Sequence, residues 1–150
     1  MSEFRIEKVQ HAVAVTLASG ERMDGKVFLE PVARYHAGRQ DPRELFNDDA
    51  AFFPFAVDGR LILIAKDHVK TATYMQPAGG APVSSIKTAV RVHLSDGQDL
   101  DGTIDVEQRS DAERLLDFLN GFGGRFLSLT VDRSTQCLVN RRMIAGVQQR

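Results

Sequence analysis

The stretch Val13-Ala14-Val15-Thr16-Leu17, followed by Gly20 and Gly25, returns 77 residues later as Val90-Arg91-Val92-His93-Leu94, followed by Gly97 and Gly102. Laying residues 9–27 over 86–104 without a gap gives seven identities in nineteen columns: Ala12/Ala89, Val13/Val90, Val15/Val92, Leu17/Leu94, Gly20/Gly97, Asp24/Asp101 and Gly25/Gly102. Average residue usage gives about one or two by chance. Val27/Ile104, Val9/Ile86 and Met23/Leu100 are conservative replacements, and with small changes of offset the match resumes at Asn47/Asn120, Phe53/Phe126, Leu63-Ile64/Leu138-Val139 and Val69/Ile144. The chain therefore reads as an internal duplication with copies of about sixty residues.

Within each copy the local signals follow one order. Val90, Val92 and Leu94 alternate with Arg91 and His93, a period of two that turns one face inward and one to solvent. Ser95-Asp96-Gly97 turns the chain, and a returning strand runs through Ile104 and Val106; the first copy does the same through Ala18-Ser19-Gly20, Val27 and Leu29. Gly25 and Gly102 fall inside the returning strands, where a missing side chain marks a bulge or sharp bend. A helical insert comes next. In the second copy Ser110-Asp111-Ala112-Glu113 is a capping box ahead of Leu115, Leu116, Phe118 and Leu119; in the first, Asp41-Pro42 opens a helix of a turn or two. Strands are then expected over 52–57, 61–65 and 68–72, with Asp58-Gly59 as a hairpin turn, and over 126–131, 136–140 and 143–147. The Pro- and Gly-rich stretch from Gln76 to Pro82, with Ser84-Ser85 behind it, reads as a linker. The expected division is a first unit over 1–75, a linker over 76–85 and a second unit over 86–150, with the two units packed together because a sixty-residue unit buries little surface alone.

The 150 residues carry 19 Lys plus Arg against 20 Asp plus Glu, a formal charge of −1 that argues against a general polyanion-binding surface. Hydrophobic residues at 43% suffice for a packed core. Charges at Glu3, Arg5, Glu7 and Lys8 predict no signal peptide, no apolar run is long enough for a transmembrane helix, and the single Cys137 fits a reducing cytoplasm.

The quoted stretches, 13–25 and 90–102, resemble the opening strands of the Sm-like barrels, the superfamily of the Lsm proteins and the bacterial RNA chaperone Hfq. The closing stretches Leu61-Ile62-Leu63-Ile64-Ala65-Lys66-Asp67-His68-Val69 and Leu138-Val139-Asn140-Arg141-Arg142-Met143-Ile144 are similar to that fold's last two strands. The resemblance covers most of both copies. It implies a mainly β fold with short helices, made of two tandem five-stranded, strongly bent barrels that associate through strand edges. It also implies single-stranded RNA binding through a basic residue in the last turn and an acidic or amide residue after the second strand. Lys66 and Arg141 match the basic position, with Arg142 beside Arg141, and Gln108 matches the amide position, whereas the first copy has Pro31 there. The family's glycine after the basic residue is replaced by Asp67 and Arg142, and no aromatic residue stands in the loops that would face RNA. Base stacking on such a residue contributes about 1 to 3 kcal/mol, so the pattern disfavours RNA as partner.

Other constellations carry less. His11, His36, His68 and His93 lack the spacing of a zinc-binding helix, and one cysteine cannot complete a thiolate site. Asp96, Asp99, Asp101 and Asp105 are dense, but Gly97 and the lack of a closing Glu contradict a calcium loop, so they read as a solvated hairpin. Gly121-Phe122-Gly123-Gly124 follows a helix instead of preceding one and reads as its stop. No nucleophile elbow or catalytic cysteine signature occurs. Phe52, Phe53 and Phe55 around Pro54 form the densest aromatic group and are the candidate partner-binding residues, against the plainer reading of a strand packed in the core. The reading that results is a non-catalytic cytoplasmic interaction or scaffolding protein without cofactor or metal. Its partner is another protein or a second copy, and the alternative is RNA binding through Lys66, Arg141, Arg142 and Gln108.

Overall fold

The computed structural model describes residues 7–33, 38–76, 85–107 and 114–150. The protein is mainly β, and its chain divides into two compact units, Met1–Tyr74 and Met75–Arg150. Residues 77–84, the body of the expected linker, lie outside the described residues; at its ends, Gln76 donates its backbone N–H to the Ser134 carbonyl and Ser85 already begins a strand.

The first unit contains β1 (Val9–Leu17), β2 (Arg22–Leu29), α1 (Pro42–Asn47), β3 (Phe52–Val57), β4 (Arg60–Ala65), a 3-10 turn (Lys66–His68) and β5 (Val69–Met75). The second repeats the order with β6 (Ser85–Leu94), β7 (Asp99–Glu107), α2 (Arg114–Gly121), β8 (Phe126–Thr130), β9 (Thr135–Asn140), a 3-10 turn (Arg141–Met143) and β10 (Ile144–Gln149). Strand neighbours correspond as well: β5-β1-β2-β3-β4 in the first unit and β10-β6-β7-β8-β9 in the second, every ladder antiparallel.

Alternation explains the cores. Val13 and Val15 on β1 face inward with Val27 and Leu29 on β2, and Val90, Val92, Ile104 and Val106 repeat the arrangement, each at most 3% exposed. The helical insert closes one side. Asp41 caps α1 through a reciprocal box, accepting from the Glu44 N–H at 2.9 Å while Glu44 accepts from the Asp41 N–H at 3.1 Å, and Pro42 opens the helix. Its Phe46 is fully buried, with its ring 4.7 Å from that of Phe53. In the second unit Leu115, Phe118, Leu119 and Phe122 pack against the core, while the expected capping box at 110–113 lies outside the described residues. Asp41→Ala removes the side-chain half of the box, the bond accepted from the Glu44 N–H, and is expected to lower stability by about 1 kcal/mol, read as a shifted urea midpoint.

Three expectations change. The expected barrels are five-stranded, and so are the units, but among the described residues no ladder joins β4 to β5 or β9 to β10, so each run of strands is open. The physical reason is the 3-10 turn after β4 and after β9, which redirects the chain to pair with β1 or β6 instead of reversing it as a hairpin. The last strand of the first unit consequently starts at Val69 and runs to Met75, and that of the second runs to Gln149. Phe53 corresponds to Leu127, not Phe126: Phe53 lies opposite Ile64 as Leu127 lies opposite Val139, whereas Phe126 faces Asn140 as Phe52 faces Ala65.

The bend within each unit is fixed at the same point. β2 follows β1 along its whole length but, among the described residues, pairs with β3 only at Lys26 and Val27, and β7 pairs with β8 only at Thr103. Gly25 and Gly102 lie beside these crossings, with the Phe55 ring and the Leu129 side chain against them.

Candidate partner-binding surface

The β3–β4 hairpin turns at Asp58-Gly59, both at positive φ (50° and 73°), the geometry that matches the twist of paired strands. Its register pairs Phe52 with Ala65, Pro54 with Leu63 and Ala56 with Leu61, which puts all six on one face. That face is apolar throughout and open at its middle and end: Phe52 is 59% exposed, Leu61 61% and Leu63 66%. The opposite face presents Phe53 and Phe55 to the core at 1% and 0% exposure, their rings 6.2 Å apart in an edge-to-face contact. Of the aromatic trio singled out in the sequence, only Phe52 is therefore available to a partner. Phe53 and Phe55 are core residues, because neighbours in a strand point to opposite sides.

Leu61 and Leu63 were not among the candidate site residues. Their signal was the uninterrupted run Leu61-Ile62-Leu63-Ile64, apolar on both faces, which requires either burial on both sides or an exposed apolar face. β4 is also the terminal strand of its unit's order. An end strand carries an unfilled row of backbone donors and acceptors, so main-chain bonding and apolar burial are available at one place.

The equivalent hairpin of the second unit is different in kind. Ser128 and Thr130 on β8 lie opposite Leu138 and Gln136 on β9, and the polar groups bond to one another. The Ser128 hydroxyl donates to Gln136 Oε1 at 3.1 Å, and Gln136 Nε2 donates to Thr130 Oγ1 at 3.0 Å.

The basic residues of the final turns serve the fold. Lys66 is 0% exposed; its Nζ donates to the Leu45 carbonyl at the end of α1 at 2.8 Å and to Asp48 Oδ1 at 2.5 Å. Arg141 takes the matching role in the second unit, donating from Nη1 to the Phe122 carbonyl just after α2. Each cation meets a carbonyl at or just past a helix end, where the helix dipole favours positive charge. Arg142 is exposed, and its N–H donates to Asn140 Oδ1 at 3.0 Å. Lys66 and Arg141 belong to different units, and Gln108 lies outside the described residues. Nearby, burial pushes the Tyr74 phenol pKa up, reinforced by Asp41 and opposed by Arg43.

The acidic hairpin of the second unit has cationic partners. Arg91 Nε donates to Asp101 at 2.8 Å, Arg150 Nη1 lies 3.1 Å from the same carboxylate, and His93 Nδ1 lies 2.6 Å from Asp99 Oδ1. The bond from Arg91 holds the Asp101 carboxyl below its usual range. Comparison with protein-family models, curated proteins and solved structures finds no match.

Proposed function

We propose that this chain is a non-catalytic cytoplasmic interaction module made of two tandem Sm-like units, and that the β3–β4 face of the first unit is its contact surface. The carrying observation is the coincidence of Phe52, Leu61 and Leu63, all more than half exposed, with the terminal strand β4. A partner strand added to β4 gains backbone hydrogen bonds and covers alternate leucines, the mode of strand addition used by many peptide-binding sheets. The occupant that fits with least additional machinery is a second copy of this chain, which brings the same apolar hairpin. The identical strand order of the two units supports the tandem duplication. Cys137, a buried free thiol, is compatible with a reducing compartment.

RNA binding is the weaker reading, since Lys66 is enclosed and its ammonium engaged, which leaves Arg141 and Arg142 without a basic counterpart from the first unit. Sedimentation velocity of the full chain tests the proposal. Wild type is expected to shift to faster-sedimenting species as concentration rises through the micromolar range. The double variant Leu61→Lys/Leu63→Lys is expected to stay monomeric with an unchanged unfolding midpoint, because both side chains are exposed. A wild type that sediments as a monomer at every concentration would contradict self-association through this face.

A further inference from the structure

We infer that His93 is a proton-operated latch on the C-terminal strand β10, holding it to the hairpin β6–β7 when the imidazole is charged and easing it when neutral. The geometry requires the charged form for full bonding. Nδ1 faces a carboxylate oxygen of Asp99 on β7 at 2.6 Å, and Nε2 faces the side-chain oxygen of Gln148 on β10 at 3.3 Å. Both partners are acceptors, so only the imidazolium donates to both at once. A neutral ring that keeps its proton toward Asp99 turns a lone pair on the Gln148 oxygen, and that bond is lost unless the amide rotates.

The surrounding charges are Arg91 on the same strand, Asp99 and Asp101 on β7, and Arg150 at the end of β10. The bond to Asp99 raises the His93 pKa above its ordinary value, helped by Gln148 and opposed by partial desolvation and by Arg91. Because the folded pKa is raised, the latch contributes fully below the ordinary histidine pKa and is lost as pH rises through the folded value. β10 is the terminal strand of its unit's order, and its register with β6 shifts between Ile144 and Gly146, opposite Leu94 and His93. The latch thus sits where the ladder is irregular. It is joined by Arg150, whose N–H donates to the Ala89 carbonyl at 2.9 Å and whose guanidinium meets Asp101.

The first unit supplies an internal control. There Thr16 stands for His93, Arg22 for Asp99, Ala14 for Arg91 and Thr73 for Gln148, so β5 pairs with β1 without a titrating group at the corresponding place. Amide hydrogen exchange followed by NMR, corrected for intrinsic rates, tests the latch at pH 5.5 and pH 8. Protection of β10 amides is expected to fall about two- to fivefold at the higher pH relative to β5, the range reached by exposed ion pairs. His93→Gln is expected to remove that pH dependence, and Asp99→Asn to lower the His93 titration midpoint. Parallel pH courses for β10 and β5 would overturn the inference. So would a β10 loss that persists in His93→Gln.

Discussion

Gly25→Ala and Gly102→Ala are each expected to lower stability by about 3 kcal/mol, at the upper end of overpacking costs. A Cβ on Gly25 would meet the Ala56 carbonyl oxygen and lie 2.8 Å from the Phe55 ring, and one on Gly102 would lie 2.6 Å from the Thr130 carbonyl oxygen and 2.7 Å from Leu129 Cγ. Side-chain rotation cannot relieve the first contact of each set, because the obstacle is backbone held in a ladder, Ala56 opposite Lys26 and Thr130 opposite Thr103. Either β2 withdraws from β3, or β7 from β8, and both crossings are already short. Urea unfolding measures the loss. Gly123→Ala, where an added Cβ meets nothing within 4 Å, serves as the control with little change.

Lys66→Ala is expected to cost about 2 to 3 kcal/mol, below the range for breaking a fully buried pair because Asp48 is 41% exposed and can recover water. The substitution removes the ammonium from the Leu45 carbonyl, which keeps only the longer 3.5 Å bond from the Asp48 N–H, and opens space beneath α1. Lys66→Met keeps most of the aliphatic volume and separates the two effects: a smaller loss than for alanine assigns the remainder to packing. Thermal unfolding of both variants measures the division. A loss no larger than that of an exposed lysine replacement would show that the ammonium does not secure the helix end.

Strand positions were legible in the sequence because the period of two is strong where only one face is buried, as in Val13, Val15 and Leu17 or Val90, Val92 and Leu94. The order of elements in the second copy followed from the first. Face assignment in β3 and β4 was not legible. Phe52 and Phe53 are equally apolar, and so are Leu63 and Ile64, so only the ladder register and packing against α1 decide which member of each pair is exposed. The role of Lys66 was hidden for a related reason: a basic residue in a turn ordinarily reads as solvated, and its partners lie 18 and 21 positions earlier in the chain. The same holds for the Asp99 and Asp101 carboxylates, which read as a solvated cluster until the β6–β7 register sets them opposite His93 and Arg91.

Divergence between the copies is chemically selective. The glycines at the bend and the cations at the helix ends are kept in kind, whereas the hairpin face that exposes Phe52, Leu61 and Leu63 in one copy buries Phe126 and Leu138 and joins Ser128, Thr130 and Gln136 by hydrogen bonds in the other.

Interstrand NOEs between backbone protons measure the repeated architecture directly. Contacts are expected to join Val13 to Gly25 and Ala14 to Thr73 in the first half, matched by Val90 to Gly102 and Arg91 to Gln148 in the second. Contacts that place the closing strand of either half beside a different neighbour would contradict that architecture.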